Sequence, residues 1–528
     1  ILGLEAESLL LGGSRSGTAS TSLLNVIASN VLVDDEVSLS LPELILAAND
    51  SVVVGDNVTL NATTDSNSSG GKDIQLNVSG DGAVVGLSSQ NNLTVNRSGS
   101  TGTTGLIEIG NNTSLNADES IVLDTSHDAK LGDTVGLNTK ELALSSERIN
   151  LGDVPANAPG FTLSQEQLNS LGTSQTIDIL RIVGSESIDI YSALDVEANN
   201  LVIQTNTLKT ASEFDGDVVF AATDTVSIKG TSENAEFQTT AVTSSDNRAL
   251  RFTGDKVNLE NKTLTSTGFT SVNIEANREL VFNQNGGINS DSSIHVDAPI
   301  ITAASGSDGN LKSATHISIA SFQNLAADYS LPQSIGAKLV LSALGDIINA
   351  GYIRLPSGVF EVNAIGDSSS VHFLSESVVD LAGAKNTIID VEQPLHGGRL
   401  AINATGDASL DGRVDVSGST QGGDAGSITV DLLDGDYSGN GNLVADVASD
   451  SYRGGSFSVR TNSLEDFSTL NTQLNERNFT GARRVEIRNG DLNVGAGEEV
   501  NANTIDLVAD SGSINVGGKL NTLGASGG

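Results

Sequence analysis

Apolar and polar residues alternate in short runs along the whole chain, and Gly, Asn, Asp or Ser separates one run from the next. Strict alternation is the pattern of a strand that buries one face and exposes the other. It is clearest in four pairs of apolar residues: Val272 and Ile274, Leu280 and Phe282, Ile294 and Val296, and Ile317 and Ile319. The runs recur roughly every 20–30 residues, which is the spacing of solenoid coils.

These repeats predict an all-β solenoid over residues 1–528, built as one continuous stack of coils. A coil of two or three short strands cannot bury its own inward face, so it is stable only when neighbouring coils cover it. We expect Gly and Asn at the corners, where the backbone takes left-handed conformations that other residues reach only with strain. Asn, Ser and Thr in successive coils are candidates for hydrogen-bond ladders, although the sequence does not show their alignment.

Two stretches of the chain are copies of one repeat. Residues 400–423 realign onto residues 505–528, with two pairs of glycines in equivalent positions: Gly412 with Gly518, and Gly418 with Gly524. A strand follows the first copy, whereas the second copy stops before that strand. We therefore expect these glycines to mark coil corners and the chain to be a fragment of a longer protein.

One segment departs from the strand pattern and predicts a helical insert over residues 162–172. Ser164 is the expected N-cap, and Gln167, three positions later, completes a capping box. The other helix signals are a hydrophobic staple and a terminal glycine: Leu163 with Leu168, and Gly172.

A second segment, residues 463–477, also predicts a helical insert. Ser463 precedes it, and Glu465 and Asp466 are expected in the first turn, where the helix dipole favours acidic side chains. Four apolar residues follow at helical spacing: Leu464, Phe467, Leu470 and Leu474. We expect both inserts on the flank of the solenoid, where they either cover apolar surface or mediate side-to-side contacts.

Composition excludes several classes of protein. The absence of Cys excludes disulfides, thiolate metal sites and a cysteine nucleophile, and it suits a secreted chain. A net charge of −39 argues against a nucleic-acid partner, because phosphate recognition needs a basic surface. The one dense basic spot, Arg483, Arg484 and Arg488, is interpreted as a solvated strand edge. No apolar run approaches the length of a membrane span.

The sequence offers little catalytic or metal-binding chemistry. The histidines stand apart in sequence and are interpreted as surface or turn residues: His127, His295, His316, His372 and His396. The best metal candidate has oxygen side chains at alternate positions, like the first half of a calcium loop: Asp434, Asp436, Ser438 and Asn440. Ala445 stands where a bidentate Glu is needed, so the segment favours a solvent turn with weak calcium binding as the alternative. No other cofactor is expected.

Three longer stretches carry a family resemblance: residues 160–196, 400–430 and 456–500. Each combines strand cassettes with Gly and Asn corners, and two of them contain the helical inserts. They resemble the filamentous-haemagglutinin family of large bacterial exoproteins, and the likeness spans most of the chain. The resemblance implies a right-handed parallel β-helix that forms the shaft of a surface adhesin or filament. It also implies export through the outer membrane of a Gram-negative bacterium by a dedicated two-partner transporter. The family's amino-terminal secretion domain is not apparent, and the chain has no Arg-Gly-Asp receptor tripeptide.

Three functional hypotheses follow. The leading hypothesis is a non-enzymatic shaft of a secreted or cell-surface protein, whose partners are the transporter, further copies of the chain in a filament, and a host or neighbouring cell surface. The second is a polysaccharide-processing enzyme, for which Asp34, Asp35 and Glu36 are candidate acids, although a dense acidic turn explains them as well. The third is the stalk of a contact-dependent toxin.

Overall fold

The computed structural model describes residues 6–18, 20–64, 72–172, 176–231, 247–321, 334–388, 391–464 and 466–522. Fifty strands and two helices lie in these residues. The chain forms two compact units, one ending at Gly254 and the other beginning at Asp255, and strand β22 contributes to both. Each unit is a stack of coils.

The strands of the first unit are β1 (Leu9–Leu11), β2 (Gly13–Gly17), β3 (Thr21–Val26), β4 (Asn30–Val33), β5 (Ser38–Ser40), β6 (Glu43–Ala48), β7 (Ser51–Val54), β8 (Thr59–Ala62), β9 (Lys72–Ser79), β10 (Ala83–Ser88), β11 (Asn91–Ser98), β12 (Leu106–Ile109), β13 (Ser114–Ala117), β14 (Ser120–Thr125), β15 (Asp128–Leu131), β16 (Gly136–Asn138), β17 (Glu141–Leu151), β18 (Phe161–Leu163), β19 (Ile179–Ile190), β20 (Leu194–Thr210) and β21 (Val218–Gly230). Helix α1 (Gln165–Gly172) lies between β18 and β19.

The remaining strands are β22 (Ala249–Asn261), β23 (Thr263–Thr267), β24 (Ser271–Phe282), β25 (Gly287–Ser290), β26 (Ser293–Asp297), β27 (Ile301–Ala303), β28 (Asp308–Ser313), β29 (Ile317–Ile319), β30 (Lys338–Ala343), β31 (Ile347–Asn349), β32 (Tyr352–Arg354), β33 (Val359–Ala364), β34 (Val371–Phe373), β35 (Val378–Asp380), β36 (Lys385–Ile388), β37 (Val391–Pro394), β38 (Arg399–Ala404), β39 (Ala408–Leu410), β40 (Arg413–Asp415), β41 (Ser427–Leu432), β42 (Tyr437–Ser438), β43 (Asn442–Val444), β44 (Ser456–Thr461), β45 (Ala482–Asn489), β46 (Leu492–Val494), β47 (Glu499–Ala502), β48 (Thr504–Ser511), β49 (Ile514–Val516) and β50 (Lys519–Thr522). Helix α2 (Phe467–Glu476) lies between β44 and β45.

Strands of successive coils pair in parallel and in register. Thirty-six of the described strands belong to one sheet, and β38 and β41 illustrate its register, with Leu400 opposite Ile428 and Ile402 opposite Val430. The predicted all-β parallel β-helix with two short helices is confirmed. The remaining described strands form smaller sheets.

The interior is built from columns of apolar side chains, one from each coil. One column in the second unit has five members that are no more than 1% exposed, and each is the register partner of the next: Leu339, Phe360, Leu400, Ile428 and Phe457. Burying a side chain of this size contributes about 1.5–3 kcal/mol. Each member packs between the coils before and after it, so its burial depends on both neighbours.

The first unit departs from the expectation that each strand buries one face. β10 runs antiparallel between β6 and β14, and all residues of these three strands are buried. A four-stranded sheet of β2, β3, β9 and β11, here called the cover sheet, packs on their outer side. A Cβ on Gly86 of β10 would lie 2.9 Å from Cγ1 of Val122 and 3.3 Å from Cδ1 of Leu93, so glycine permits this close packing.

Asparagine and glycine are suited to the coil corners for different physical reasons. Asn57 and Asn112 have φ values of 56° and 55°, which are the left-handed conformations expected of corner asparagines. Gly412 and Gly418 do not have positive φ among the described backbone angles, contrary to the left-handed role expected of them. A Cβ on Gly412 would lie 2.5 Å from the carbonyl oxygen of Ser377, and Gly418 and Gly518 face carbonyl oxygens at 2.2 and 2.3 Å. These glycines allow backbones to approach; Gly524 lies outside the described residues.

Helix α1 starts where the sequence places it. The backbone N–H of Ser164 donates to Oε1 of Gln167 at 2.9 Å, and the backbone N–H of Gln167 donates to Oγ of Ser164 at 3.2 Å. Leu163 and Leu168 are both fully buried, and Gly172 is the last helical residue.

Helix α2 starts later than the range 463–477 predicts. Asp466 is its N-cap and accepts a hydrogen bond from the backbone N–H of Thr469 at 2.9 Å, so Asp466 is not in the first turn. Ser463 belongs to the adjoining coil corner instead, where its backbone N–H and its Oγ both donate to Oδ1 of Asp436, each at 2.8 Å. Glu465 lies outside the described residues.

The column packing predicts a large effect of one truncation. Leu400→Ala removes a fully buried side chain between two coils and should cost about 2–5 kcal/mol, seen as a lower denaturation midpoint by circular dichroism. Arg399→Ala, which changes an exposed neighbour on the same strand, is the matched control and should change stability by about 0.5 kcal/mol or less. Equal midpoint shifts for the two variants would contradict the column.

Candidate functional site: the outer-face cluster

The candidate calcium loop is a coil corner. Tyr437 is 4% exposed and begins a short strand, so the segment does not curl as a calcium loop does. Oδ1 of Asp436 accepts three hydrogen bonds, from the backbone N–H and Oγ of Ser463 and from Nδ2 of Asn462. The backbone N–H of Asn440 donates to Asp411 at 3.2 Å. Asp434 precedes this strand, and Ser438 is its last residue. In the described part of the chain, no group of three or more His, Asp or Glu side chains is arranged to hold a metal.

Asp436 belongs to a column of corner side chains that we call the corner relay. In this column a side-chain acceptor in each coil receives the backbone N–H of the equivalent residue in the next coil. The five links have donor–acceptor distances of 3.0, 2.9, 3.1, 2.8 and 2.8 Å and join six residues in order: His316, Asp346, Ser370, Asp407, Asp436 and Ser463. Such bonds satisfy corner N–H groups that would otherwise lack a partner.

The first unit has the same arrangement. Asp35 accepts the backbone N–H of Asp56 at 2.9 Å, Asp56 accepts that of Asn111 at 2.7 Å, and Asn111 accepts that of Asp133 at 3.1 Å. Asp35 was one of three candidate acids for an enzyme, together with Asp34 and Glu36. Its carboxylate holds a corner, which is a structural use of the acid.

Four of the five histidines contact a neighbouring coil. Nδ1 of His295 lies 2.5 Å from Oγ of Ser318, and Nδ1 of His372 lies 3.0 Å from Oγ of Ser409. Burial and then His316 lower the pKa of His295. Nδ1 of His396 accepts the backbone N–H of Asp424 at 2.9 Å. The positions of the histidines in the sequence do not predict these contacts, because each partner residue lies in another coil.

The basic spot is not a single solvated edge. Arg483 is 2% exposed and takes the next position in the apolar column, opposite Phe457. Its Nε donates to the carbonyl oxygen of Phe479 at 2.8 Å and its Nη1 to Oδ1 of Asn471 in α2 at 2.9 Å. Burial lowers the pKa of Arg483 to about 10. Arg484 is exposed and pairs with Glu486 at 2.8 Å, but it does not lie at a strand edge, because β45 pairs with β44 on one side and with β48 on the other.

A group of charged and phenolic side chains lies on the outer face of the second unit, on β32, β35 and β40. The central residue of each strand points inward and is fully buried, so the flanking residues point outward. We call five of them the outer-face cluster: Tyr352, Arg354, Asp380, Arg413 and Asp415. Arg354, Asp380 and Asp415 are successive register partners, so the backbones of Asp380 and Asp415 stand one strand spacing apart, about 4.8 Å.

The cluster raises the pKa of its central acid. Burial is the main cause for Asp380; the backbone N–H of Ala382 and the Arg354 guanidinium oppose the rise, and the Asp415 carboxylate adds to it. Nε of Arg354 lies 3.3 Å from Oδ2 of Asp380, and Arg413 pairs with Asp415. Burial and the nearby Asp380 also raise the pKa of Tyr352. A carboxyl pair in unlike environments is a common arrangement in acid–base chemistry, although structural ion-pair networks also shift pKa values.

A small cavity of about 230 Å³ adjoins the cluster. Arg354 lies in its wall, and Lys385 of the β36–β37 hairpin lines it and pairs with Glu392 at 3.3 Å. The other lining residues are small or hydroxyl-bearing: Ser334, Pro356, Gly383, Ala384, Ser419 and Thr420. Hydroxyl and guanidinium groups beside carboxylates suit a polar ligand such as a sugar. The sequence did not reveal the cluster because its members come from three coils.

The first unit contains an acid with the opposite shift. Asp81 accepts hydrogen bonds from the backbone N–H and Oγ1 of Thr101, both at 2.6 Å, and from Oγ1 of Thr103 at 2.8 Å. Slight burial raises the pKa of Asp81, but the hydrogen bonds from Thr101 and Thr103 outweigh it and hold the pKa far below its usual range. The ionised form of Asp81 is therefore favoured by the fold.

Comparison with known proteins returns no relative: no family model, no curated protein and no solved structure matches this chain. In the described residues, neither helix has the length and apolar character needed to cross a membrane.

The opposite shifts predict opposite effects of two amide substitutions. Asp81→Asn should lower the denaturation midpoint at pH 7, because a depressed folded-state pKa gives stability that is fully present above the unfolded-state pKa and is lost as pH falls through the folded-state pKa. The deficit of the variant should therefore begin to shrink below the unfolded-state pKa of about 3.9, be smaller at about pH 2 than at pH 7, and vanish only below the folded-state pKa.

Asp380→Asn is the comparison for this experiment. The raised pKa of Asp380 means that its charged form is disfavoured by the fold, so the variant should match or exceed the wild type at pH 7. The stability difference between Asp380→Asn and the wild type should disappear as falling pH protonates the carboxyl group of Asp380. Midpoints measured by circular dichroism at both pH values test this, and an equal loss in both variants at pH 7 would contradict the assignment.

Proposed function

We propose that this chain is the non-enzymatic structural shaft of a secreted or cell-surface bacterial adhesin or filament. The observation that carries the proposal is the use of its polar side chains. Acids and histidines that resemble catalytic or metal-binding candidates in the sequence bind the backbone of the next coil, as the corner relay does. A scaffold needs these contacts and needs no active site.

Asparagine ladders support the same role. Nδ2 of Asn61 donates to Oγ of Ser40 at 3.1 Å, Nδ2 of Asn116 donates to Oδ1 of Asn61 at 2.8 Å, and Nδ2 of Asn138 donates to Oδ1 of Asn116 at 2.8 Å. The second unit has equivalent links from Asn515 to Asn493 and from Asn521 to Asn501, both at 2.8 Å. An amide both donates and accepts, so each rung can be extended by another.

Ion pairs also join the coils. Arg460 binds both carboxylate oxygens of Asp431 in the preceding coil, at 2.7 and 2.8 Å, and Lys338 pairs with Glu361 of the following coil at 3.0 Å. Exposed pairs contribute little singly, about 0–1 kcal/mol each, but they fix the register of neighbouring strands. In this proposal the chain is exported through a two-partner transporter of a Gram-negative outer membrane, presented to a host or neighbouring cell, and open to assembly with further copies. A toxin stalk would use the same scaffold.

The outer-face cluster favours a second candidate function, a polysaccharide-processing enzyme. Its two acids, Asp380 and Asp415, lie side by side on the same face of adjacent strands. Retaining glycosidases likewise use two neighbouring carboxyl groups. The adjoining cavity has hydroxyl groups in its wall. Against this candidate, Arg354 and Arg413 already pair with the two acids.

A whole-coil deletion tests the shaft. Removing residues 399–426 joins residue 398 to residue 427 and lets β41 replace β38 in register, because Arg399 and Ser427 are register partners. We expect the producing bacteria to display the shortened protein and to adhere as before, measured by antibody labelling of intact cells and by adhesion counts.

The matched control removes residues 399–412, about half a coil. This deletion breaks the register and should abolish folding and display. Normal display of the whole-coil deletion with loss of adhesion would contradict the shaft, because it would place a required binding site in the removed coil.

A polysaccharide panel separates the two candidates. The shaft predicts that the purified chain releases no new reducing ends and no unsaturated products from acidic or neutral polysaccharides. Product release that Asp380→Asn abolishes would replace the shaft with the enzyme, provided that Asp431→Asn, which changes an ion-paired acid on a neighbouring coil, keeps the activity.

A further inference from the structure

The asparagine ladder of the first unit ends at an open strand edge. Strands β5, β8, β13 and β16 form one small parallel sheet, and among the described strands β16 pairs with β13 alone. In the next coil α1 follows β18 at the position in the chain where another strand of this sheet would come. The side of β16 that faces away from β13 is therefore an edge, and edges recruit other strands.

The two helical inserts differ in the hydrogen bonds that they make to the adjacent coils. Helix α2 bonds to both adjacent coils: Gln473 donates to the carbonyl oxygen of Gly441 in the preceding coil, and Asn471 donates to that of Glu499 in the following coil at 2.9 Å. Helix α1 is tied to the following coil by Gln165, whose Nε2 and Oε1 bond to the backbone of Asp195 at 2.9 and 3.1 Å. Between α1 and β16 lies a cavity of about 320 Å³.

The cavity has an apolar floor and an acidic rim. Five aliphatic residues line it: Leu131, Val135, Leu137, Leu163 and Leu171. Asp133 and Glu166 line it as well, and none of its described lining residues is basic. An aliphatic stem ending in a positive charge fits both parts, since Lys and Arg bury their stems and keep the charged group at a polar rim.

A second cavity of about 380 Å³ lies on the outer face of the same edge. Asn116 and Asn138, the last two rungs of the ladder, line it. Asn138 donates its Nδ2 to Oδ1 of Asn116 at 2.8 Å and is the last rung of this ladder among the described residues. The two cavities thus flank β16, with Leu137 on the inward side and Asn138 on the outward side.

We propose that the β16 edge binds an extended basic segment of a partner polypeptide by strand addition. The added strand continues the parallel sheet one spacing, about 4.8 Å, beyond β16. Its inward residue is Lys or Arg, with the stem against Leu137 and Leu163 and the charge at Asp133 and Glu166. The residues on either side are Asn, Ser or Thr, and they extend the amide ladder from Asn138. The recognised pattern is therefore Asn/Ser/Thr, Lys/Arg, Asn/Ser/Thr.

Synthetic peptides test the proposal with the chain as it exists. A fluorescein-labelled peptide with the core Thr-Asn-Lys-Asn-Thr should bind saturably in an anisotropy titration, and replacement of its Lys by Glu should remove binding. Methylating the backbone nitrogen of the Asn that follows the Lys removes the donor to the carbonyl oxygen of Leu137, because in this sheet the residues on either side of the inward one donate to the preceding strand, as Gly136 donates to Thr113. This change should also remove binding while keeping charge and composition.

Protein variants locate the site. Asp133→Asn with Glu166→Gln should weaken the Lys peptide by about fivefold and leave a norleucine peptide unchanged, whereas the exposed Asp224→Asn should alter neither. Circular dichroism checks that the variants fold. Equal binding of the methylated and unmethylated peptides, or an equal loss in Asp224→Asn, would overturn the proposal by showing charge attraction without strand pairing. Dimerisation of the chain alone that the peptide does not disrupt would overturn it by placing a second copy on the edge.

Discussion

Each coil of this protein is stable only because the coils on both sides complete it. A coil places one or two apolar side chains from each strand into the interior, and those side chains are buried by their register partners, as Leu400 is by Phe360 and Ile428. The same neighbours receive the backbone hydrogen bonds of the strands. Apolar burial and backbone pairing therefore act along one direction, and the stability of a stack is a sum of nearest-neighbour terms.

This constraint also explains what many acidic side chains of this protein do. Corners leave backbone N–H groups without a strand partner, and a short acidic or hydroxyl side chain in the preceding coil can accept them. Asp407 and Asp436 do this in successive coils, at 2.8 Å each. In the amino-acid sequence such residues resemble metal ligands or catalytic acids, because the partner that occupies them lies in another coil.

The features that depend on local sequence could be predicted, and those that depend on register could not. Alternation is a property of neighbouring residues, so it predicted the strands, and the capping box of α1 depends only on Ser164 and Gln167. The cover sheet, the antiparallel β10 and the outer-face cluster depend on which residues of separate coils become partners. The amino-acid sequence does not show directly which residues of separate coils will be paired. Arg483 is an example of a residue whose position could not be predicted from its sequence neighbours. Those neighbours suggest a basic strand edge, yet Arg483 lies in an apolar column and binds Asn471 of α2.

The helical inserts show where stacking stops being uniform. A helix cannot pair its backbone with the strands before and after it, because its N–H and C=O groups bond within the helix. Side chains must then replace the ladder, and α2 does so with Gln473 and Asn471 on its two sides. Helix α1 makes the equivalent contact through Gln165 to one side, and on the other side β16 keeps an edge between two cavities. Among the described strands, β16 is therefore one place where the stack leaves a strand edge, and the position of that edge is set by the helical insert.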